Sequence, residues 1–246
     1  MPHRTFSLNE AAEYLHLPPT DVEQLVRQKE IPFEQNGKRI VFRKIDMDAW
    51  ASRRILGLSD KKLTDYHKTT SAKADNLADC RTIISDLTKL SAIKTDLASR
   101  TKPSLLRDMV ALADKSGLLL NAKGLLQSLE LREGLCSTAL ADGFALLHPR
   151  HQDPYMFEDS FIAFGRTINA IPFGASDGKE TDIFFLICCQ NDRLHLHVLA
   201  RLCLMCRQKN FLLHLRQANT PADIHQSLRL QELEALKQTS ASHNRR

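Results

Sequence analysis

The sequence predicts an α/β chain in two parts: a C-terminal domain of helices flanking a β-sheet, and a small N-terminal module of helices with a hairpin. Three observations carry this. Short apolar runs at 144–147, 168–173 and 182–188 have strand length, bounded by Gly, Pro and polar residues. They alternate with amphipathic stretches at 103–115, 122–132, 195–209 and 221–237, where apolar residues recur three and four apart. The first 56 residues follow a different pattern, with closely spaced helix and turn signals and one hairpin signal.

Ser7 reads as an N-cap, with Glu10 three residues on completing a capping box for a helix over 7–15. Leu17-Pro18-Pro19-Thr20 then makes a turn into a second helix at 21–29, which turns Val22, Leu25 and Val26 inward. Ile31-Pro32-Phe33 ends that helix, and Asn36-Gly37 joins two short extended runs as a hairpin does. Arg39-Ile40-Val41-Phe42-Arg43 alternates like an edge strand, and Trp50 anchors a third helix over 45–55. The module resembles the excisionase/MerR-like winged helix-turn-helix. There L-x-x-A-A-x-x-L precedes a recognition helix, followed by a G-x-R-x-x-F-x-x-x-D-x-x-x-W wing. Lys38-Arg39, Phe42, Asp46 or Asp48, and Trp50 stand where that pattern needs them. The resemblance implies duplex DNA as a partner. Gln24, Arg27 and Gln28 would then face a groove, and Lys38, Arg39 and Arg43 would hold the phosphate backbone from the wing. Against this, residues 1–56 hold nine Lys and Arg beside eight Asp and Glu, a weak electrostatic footprint. Asp21 and Glu23 also open the second helix, so a protein-binding role stays open beside the DNA reading.

The predicted organisation is a helix-turn-helix domain at 1–56, a connection at 57–91, a larger domain at 92–237 and a frayed polar tail at 238–246. Residues 59–76, rich in Lys, Asp, Ser and Thr, read as an exposed linker or a charged helix. Leu77, Cys80, Ile84, Leu87 and Leu90 follow with helical spacing. That stripe either docks on the larger domain or pairs two chains into a homodimer. Docking is favoured, because one short stripe is not a sustained coiled coil.

In the larger domain, Ser137-Thr138-Ala139-Leu140-Ala141-Asp142-Gly143 feeds the apolar run Phe144-Ala145-Leu146-Leu147, which delivers His148 just before Pro149. Alone, such a histidine is most often a buried structural residue. Arg132, Asp142 and His195 change the balance. This stretch resembles the mannitol/fructose-type enzyme IIA of the bacterial phosphotransferase system, including its nitrogen-regulatory members. Their signature is close to S-T-x-x-G-x-G-I-A-I-P-H, and its final His takes a phosphoryl group. Ser137, Thr138, Gly143, Ala145 and His148 fall in register, and Arg132-Glu133 matches the Arg-Glu step before the signature. Asp182-Ile183-Phe184-Phe185-Leu186 is similar to the family's D-hydrophobic strand. His195-Leu196-His197-Val198-Leu199 is similar to its H-L-x-x-L element, which supplies a second active-site histidine.

The resemblance covers about 94–229 and implies a mixed sheet with helices around it. It also implies a site of His148 as phosphoryl acceptor, with His195, Arg132 and Asp142. An imidazole nitrogen of His148 attacks phosphorus in line. Arg132 pairs with two phosphoryl oxygens in a fork that Lys cannot reproduce. His195 donates an N–H or offsets charge as imidazolium, and Asp142 orients one imidazole. Neither metal nor other cofactor is required for transfer between two phosphohistidines. Three departures stand out. Ala141 stands at a glycine of the pattern as written and Ala139 at a position where glycine is also common in the family, and both would strain the turn if φ there is positive; Leu147 replaces the proline before the active histidine. An insertion at 150–156 alters the rim.

The length of 246 residues accommodates two modest domains, each with its own core. The N-terminus lacks the pattern of a secretory signal, and the longest apolar run, 183–189, is far shorter than the ~20 residues of a spanning helix. Four of six cysteines lie in apolar segments, the usage of reduced core thiols. Cys203-Leu204-Met205-Cys206 has C-x-x-C spacing near His195 and His197. Its apolar spacer and the common face of Leu196, Leu199, Cys203 and Cys206 favour a core helix over a metal knuckle. The expectation is a cytoplasmic regulatory phosphocarrier without membrane insertion. It would be charged by an HPr-type phosphohistidine protein and coupled to DNA or partner binding through the N-terminal module. The alternative is a non-catalytic adaptor with a degenerate enzyme IIA fold.

Overall fold

The structure, a computed structural model, describes residues 5–37, 39–72, 83–150 and 155–241. Its contacts divide the chain into two compact units, Met1–Leu77 and Ala78–Arg246.

In the first unit β1 (Thr5–Phe6) leads into α1 (Leu8–Tyr14), α2 (Pro19–Arg27), the hairpin β2 (Glu34–Asn36) and β3 (Arg39–Arg43), then α3 (Lys44–Gly57) and α4 (Asp60–Ala72). The capping box forms as the sequence predicts: Glu10 Oε2 accepts from Ser7 N at 2.7 Å, and Ser7 Oγ accepts from Glu10 N at 3.4 Å. Pro19 sits in the first turn of α2, where its missing N–H costs nothing. The hairpin pairs Asn36 with Arg39, and Gly37 takes φ +62°, the left-handed conformation that glycine allows in so tight a loop. Beyond the predicted hairpin, β1 adds a third strand against β3. Trp50 Nε1 donates to Glu30 O at 2.6 Å, and Tyr14 Oη donates to Asp48 Oδ1 at 2.6 Å. These two bonds tie α3 to the end of α2 and to α1 around a core that includes Phe6, Ala11, Leu15, Val22, Phe42, Met47 and Ile55. Of the two readings of 59–76, the charged helix is the one observed over 60–72. Leu63, His67 and Thr70, on one face of α4, are buried.

The second unit opens with α5 (Ile83–Leu87) and a single 3₁₀ turn (Leu90–Ala92). The apolar stripe is therefore not one helix. Ile84 is buried, Leu90 is 53% exposed, and Leu77 and Cys80 lie outside the described residues. The Ile84 end docks on the same unit, because the backbone N–H groups of Ile84 and Ser85 donate to the Glu232 carboxylate.

Next come β4 (Ile93–Leu97), α6 (Lys102–Asp114), α7 (Ala122–Leu135), β5 (Ala139–Leu140), β6 (Phe144–Leu147), β7 (Phe161–Ile171), β8 (Thr181–Cys188), α8 (Asp192–Cys206), α9 (Lys209–Gln217) and α10 (Pro221–Ala241). The sheet is mixed, in the order β4-β7-β8-β6-β5. β4 runs parallel to β7 and β6 parallel to β8, while β7–β8 and β5–β6 are antiparallel. All four residues of β6 are buried, as a central strand covered on both faces requires. Ala145, Leu147, Ala163, Phe184 and Leu186 share one core with Leu105 and Met109 of α6 and Leu125 and Leu129 of α7. Alternation along the strand turns Phe144, Leu146 and His148 to the opposite face, toward α8.

Three predicted boundaries need correction. The strand expected at 168–173 is the end of β7, which begins at Phe161. The helix expected at 195–209 starts at Asp192, capped by Asn191, and ends at Cys206. α9 is a separate helix that the sequence reading did not distinguish. Arg166 of β7 closes the far end of α9, where its guanidinium donates to Leu215 O at 2.7 Å and Ala218 O at 2.8 Å. These are carbonyls at the C-terminal end of α9, where a cation is favoured. Cys203 and Cys206 are buried on α8, and burial pushes the Cys206 thiol well above its ordinary pKa.

Candidate functional site

His148 ends β6, and its two ring nitrogens have different partners. Nδ1 lies 2.9 Å from Leu146 O, and only a protonated Nδ1 can make that bond, since a carbonyl accepts. Nε2 is then the basic nitrogen, and it accepts from Arg132 Nε at 3.0 Å. The hydrogen-bond network thus assigns the tautomer that leaves Nε2 nucleophilic.

Arg132 reaches His148 from the last turn of α7. Its Nη1 donates to Cys136 O at 2.9 Å and to Cys136 Sγ at 3.4 Å, fixing the guanidinium plane over the C-terminus of the helix. Arg132 is 3% exposed, and its Nη2 has no hydrogen-bond partner among the described residues. An arginine N–H with no acceptor beside a basic imidazole is suited to an arriving anionic oxygen.

His195 stands on the first turn of α8, its ring centroid 5.0 Å from that of His148 and tilted by 50°. Asn191 caps this helix, with Oδ1 accepting from Leu194 N at 2.8 Å. The positive end of the α8 dipole therefore lies beside the two imidazoles, where it opposes a protonated ring and favours an anion.

Asp142, the fourth residue expected in the site, lies elsewhere. It occupies the turn before β6 with φ +69°, its side chain exposed. Its carbonyl accepts from Arg216 Nη2 at 2.8 Å, and Arg216 also pairs with Asp182. The strand separates it from His148, so it cannot orient either imidazole; it shapes the turn instead. Gly143 beside it takes φ +84°, and a Cβ there would meet Arg216 Nη2 at 2.8 Å. Neither Ala139 nor Ala141 has positive φ, so alanine is tolerated at both positions without strain. Leu147 is buried and pairs with Leu186 in the parallel ladder.

The sequence marks Glu133 only as part of the Arg-Glu step, and the structure gives it a set of partners. Its Oε1 accepts from Thr138 N at 3.1 Å and from the Thr138 hydroxyl, and its Oε2 accepts from Lys102 Nζ at 3.0 Å. The Lys102 ammonium also lies over the Phe173 ring, 4.4 Å from the centroid.

Burial, then the charges of Arg132 and His195, hold the His148 imidazole well below its ordinary pKa, with the Leu146 carbonyl pulling weakly the other way. The folded chain therefore keeps His148 neutral where the unfolded chain, with a histidine pKa near 6.5, begins to bind a proton. Below that value the unfolded state gains protons that the folded state does not, so stability falls with falling pH. Unfolding in urea between about pH 7.5 and 5 should show this loss, and His148→Gln should flatten the curve. An equally steep curve in the variant would contradict it.

In the first unit, Gln24, Arg27 and Arg39 are exposed, while Lys38 lies outside the described residues. Two of the expected DNA-contacting cations have acidic neighbours. Arg27 pairs with Glu23 at 3.6 Å, and Arg43 Nε lies 2.7 Å from Asp46 Oδ2 and 3.1 Å from Glu34 Oε1. Arg43 braces the hairpin against α3 more than it offers a free charge.

Among the described residues no group of three or more His, Cys, Asp and Glu is placed to hold a metal, and no helix is long and apolar enough to cross a membrane. Residues 86–230 match the family described as phosphoenolpyruvate-dependent sugar phosphotransferase system, EIIA 2, and residues 5–55 match a helix-turn-helix domain family. The chain is 27% identical over 121 residues to the PTS system fructose-specific EIIABC component of Bacillus subtilis, covering 48% of this chain but only 19% of that protein. It is 25% identical over 132 residues to the PTS system fructose-like EIIA component of Escherichia coli, covering 53% of this chain and 87% of that one. Among solved structures, the nitrogen regulatory protein IIA-Ntr from Neisseria meningitidis superposes with TM-score 0.51 at 27% identity, over 59% of this chain and 99% of its own. IIA mannitol from Escherichia coli, at 17% identity and TM-score 0.51 over 57% of this chain and 97% of its own, shares the fold. With the family match spanning more than half of its length, the chain belongs to the EIIA type 2 family of the phosphoenolpyruvate-dependent sugar phosphotransferase system and carries a helix-turn-helix domain before it.

Proposed function

We propose that the protein is a regulatory phosphocarrier: His148 Nε2 takes a phosphoryl group from an HPr-type phosphohistidine protein, and the helix-turn-helix domain binds duplex DNA in a manner that depends on this charge. The observation that carries the reading is the pair of bonds on His148, Nδ1–H to Leu146 O and Arg132 Nε–H to Nε2. In the step, the Nε2 lone pair forms the new N–P bond while the donor's N–P bond breaks and its electron pair returns to the donor imidazole. Arg132 turns its Nε–H from Nε2 to a phosphoryl oxygen and brings Nη2 to a second oxygen. The His148 ring keeps its Nδ1 proton and becomes cationic, with Leu146 O accepting the strengthened bond. His195 and the α8 N-terminus face the added negative charge.

The phosphoryl group carries nearly two negative charges, one of them offset by the cationic His148 ring, and a coupling of about 1–3 kcal/mol to another site is ordinary for such a change. With residues 1–56 close to charge balance, a DNA contact would rest on a few groups, the exposed Gln24, Arg27 and Arg39, together with Lys38 of the hairpin sequence. Incubating the full chain with a phosphorylated HPr-type carrier should give an acid-labile label that His148→Ala abolishes. Duplex affinity at one fixed salt concentration should then differ between the labelled and unlabelled protein. Labelling of His148→Ala would remove the acceptor assignment. Failure of the wild type to label would favour an adaptor with a non-catalytic site. Equal affinity in both states would show two tethered but uncoupled domains.

A further inference from the structure

Two consecutive residues of α7 connect to the two nitrogens of the His148 ring, one directly and one through intervening residues. Arg132 bonds Nε2 directly. From Glu133 a path of hydrogen bonds, linked through the backbone of Thr138 and Leu146, runs to the other nitrogen. Lys102 Nζ donates to Glu133 Oε2 at 3.0 Å, and Glu133 Oε1 accepts from the backbone N–H of Thr138 at 3.1 Å and from its hydroxyl. Thr138 O accepts from Leu146 N at 3.2 Å, and Leu146 O receives Nδ1–H of His148 at 2.9 Å. Thr138 precedes β5, a strand of two residues at the sheet edge, whose ladder to β6 consists of Ala139 with Ala145 and Leu140 with Phe144. So short an edge strand has little hold of its own on the Leu146 peptide. β8 holds β6 from one side, and on the β5 side the buried Glu133 carboxylate, with both oxygens engaged, anchors Thr138.

We infer that Glu133 and Thr138 are positioning residues for phosphoryl transfer, holding the Leu146 carbonyl where it fixes His148 as the Nδ1–H tautomer with Nε2 free to attack. This rests on the phosphoryl-acceptor reading of His148. The work divides between neighbours on one helix turn: Arg132 attends to the nitrogen that reacts, Glu133 to the nitrogen that must not. If Thr138 loosens, the Leu146 carbonyl, still held through β6 to β8, can tilt out of line with Nδ1, so that bond weakens and the proton redistributes toward Nε2, which removes the nucleophile. Displacements of about 1 Å in such supports are enough to cost on the order of 10²-fold in rate.

Thr138→Val keeps the shape and removes the hydroxyl donor, whereas Thr138→Ser restores it; Glu133→Gln keeps an acceptor for Thr138 and loses the charge that pairs with Lys102. Two readouts separate positioning from simple stability. In the ¹⁵N spectrum of the His148 ring, the wild type should show one protonated and one basic nitrogen, with Thr138→Val and Glu133→Gln shifted toward exchange-averaged values. In transfer assays with a phosphorylated HPr-type carrier, both variants should lose about 10- to 100-fold in maximal rate with the KM for carrier unchanged. Thr138→Ser should recover most of the loss. Wild-type ring-nitrogen shifts and rate in Thr138→Val and Glu133→Gln would overturn the inference. The spectrum needs no phosphoryl donor, so an altered tautomer in these variants supports the positioning role even if the wild type fails to label. Normal labelling of wild type and both variants overturns the positioning role alone.

Discussion

If His148 is the phosphoryl acceptor proposed above, replacing Arg132 by Lys should lower the rate of its phosphoryl uptake about 10²–10³-fold, the usual effect of losing one pre-aimed donor at a developing charge. Lysine keeps a positive charge but cannot keep the geometry. In the parent chain one guanidinium donates to Cys136 O, to Cys136 Sγ and to His148 Nε2, with Nη2 still to offer. An ammonium at the end of a flexible stem can satisfy the Cys136 carbonyl or the imidazole, but it has no planar fork to hold both and receive two phosphoryl oxygens. The loss should fall on the maximal rate, because the bond to phosphoryl oxygen strengthens as charge develops in the transition state. Single-turnover transfer from a phosphorylated carrier, followed with and without His148→Ala as the blank, measures it. A Lys variant within threefold of the parent would show that positive charge alone suffices and that the fork is idle.

How far this site can be read from sequence depends on how local each part is. The stretch ending at His148 is continuous, and β6 is observed at the four residues its apolar run predicts, Phe144–Leu147. His195 lies far along the chain, and the family pattern was needed to bring it to His148. Asp142 misled for the opposite reason. It is close in sequence to His148, but a strand lies between them, and extended backbone carries a residue away as surely as it brings another near. β7 starts well before the strand expected at 168–173, a start the sequence hides because Gly165 and Arg166 interrupt its apolar character. Both have packing roles: a Cβ on Gly165 would meet Leu97 Cδ1 and Met109 Sδ at 2.5 Å, so those side chains would have to shift, and Arg166 closes the end of α9. β4, Ile-Lys-Thr-Asp-Leu, carries charge and little periodicity, and only its pairing with β7 makes it a strand. Glu133 could not be assigned from sequence because its partners, Lys102 and Thr138, come from a different helix and from the loop beyond its own.

Glu232→Ala should destabilise the second unit by about 3–5 kcal/mol, the range for removing one partner of a buried ion pair. Glu232 is 0% exposed and Arg201 is 2% exposed, and Nη1 of the arginine lies 2.9 Å from Oε1 of the glutamate. The same carboxylate takes the backbone N–H groups of Ile84, at 2.9 Å, and Ser85, at 3.2 Å, at the start of α5. Burial pushes the Glu232 carboxyl up, even though Ile84, Arg201 and Ser85 pull it down. Desolvation thus outweighs pairing here, the condition in which deleting both charges costs little and deleting one costs much. Arg201→Met combined with Glu232→Leu should accordingly recover a large part of the loss, though the two amides of α5 still lack their acceptor. Urea unfolding of the full chain near neutral pH measures the stability, and amide hydrogen exchange at Ile84 and Ser85 localises it. Rapid exchange at these two amides in Glu232→Ala, beyond that of the β8 core, would place the weakness at α5, the first element described before the sheet. A loss under about 1 kcal/mol with unchanged exchange would mean that water reaches the Arg201 site and that the pair is not buried in the working protein.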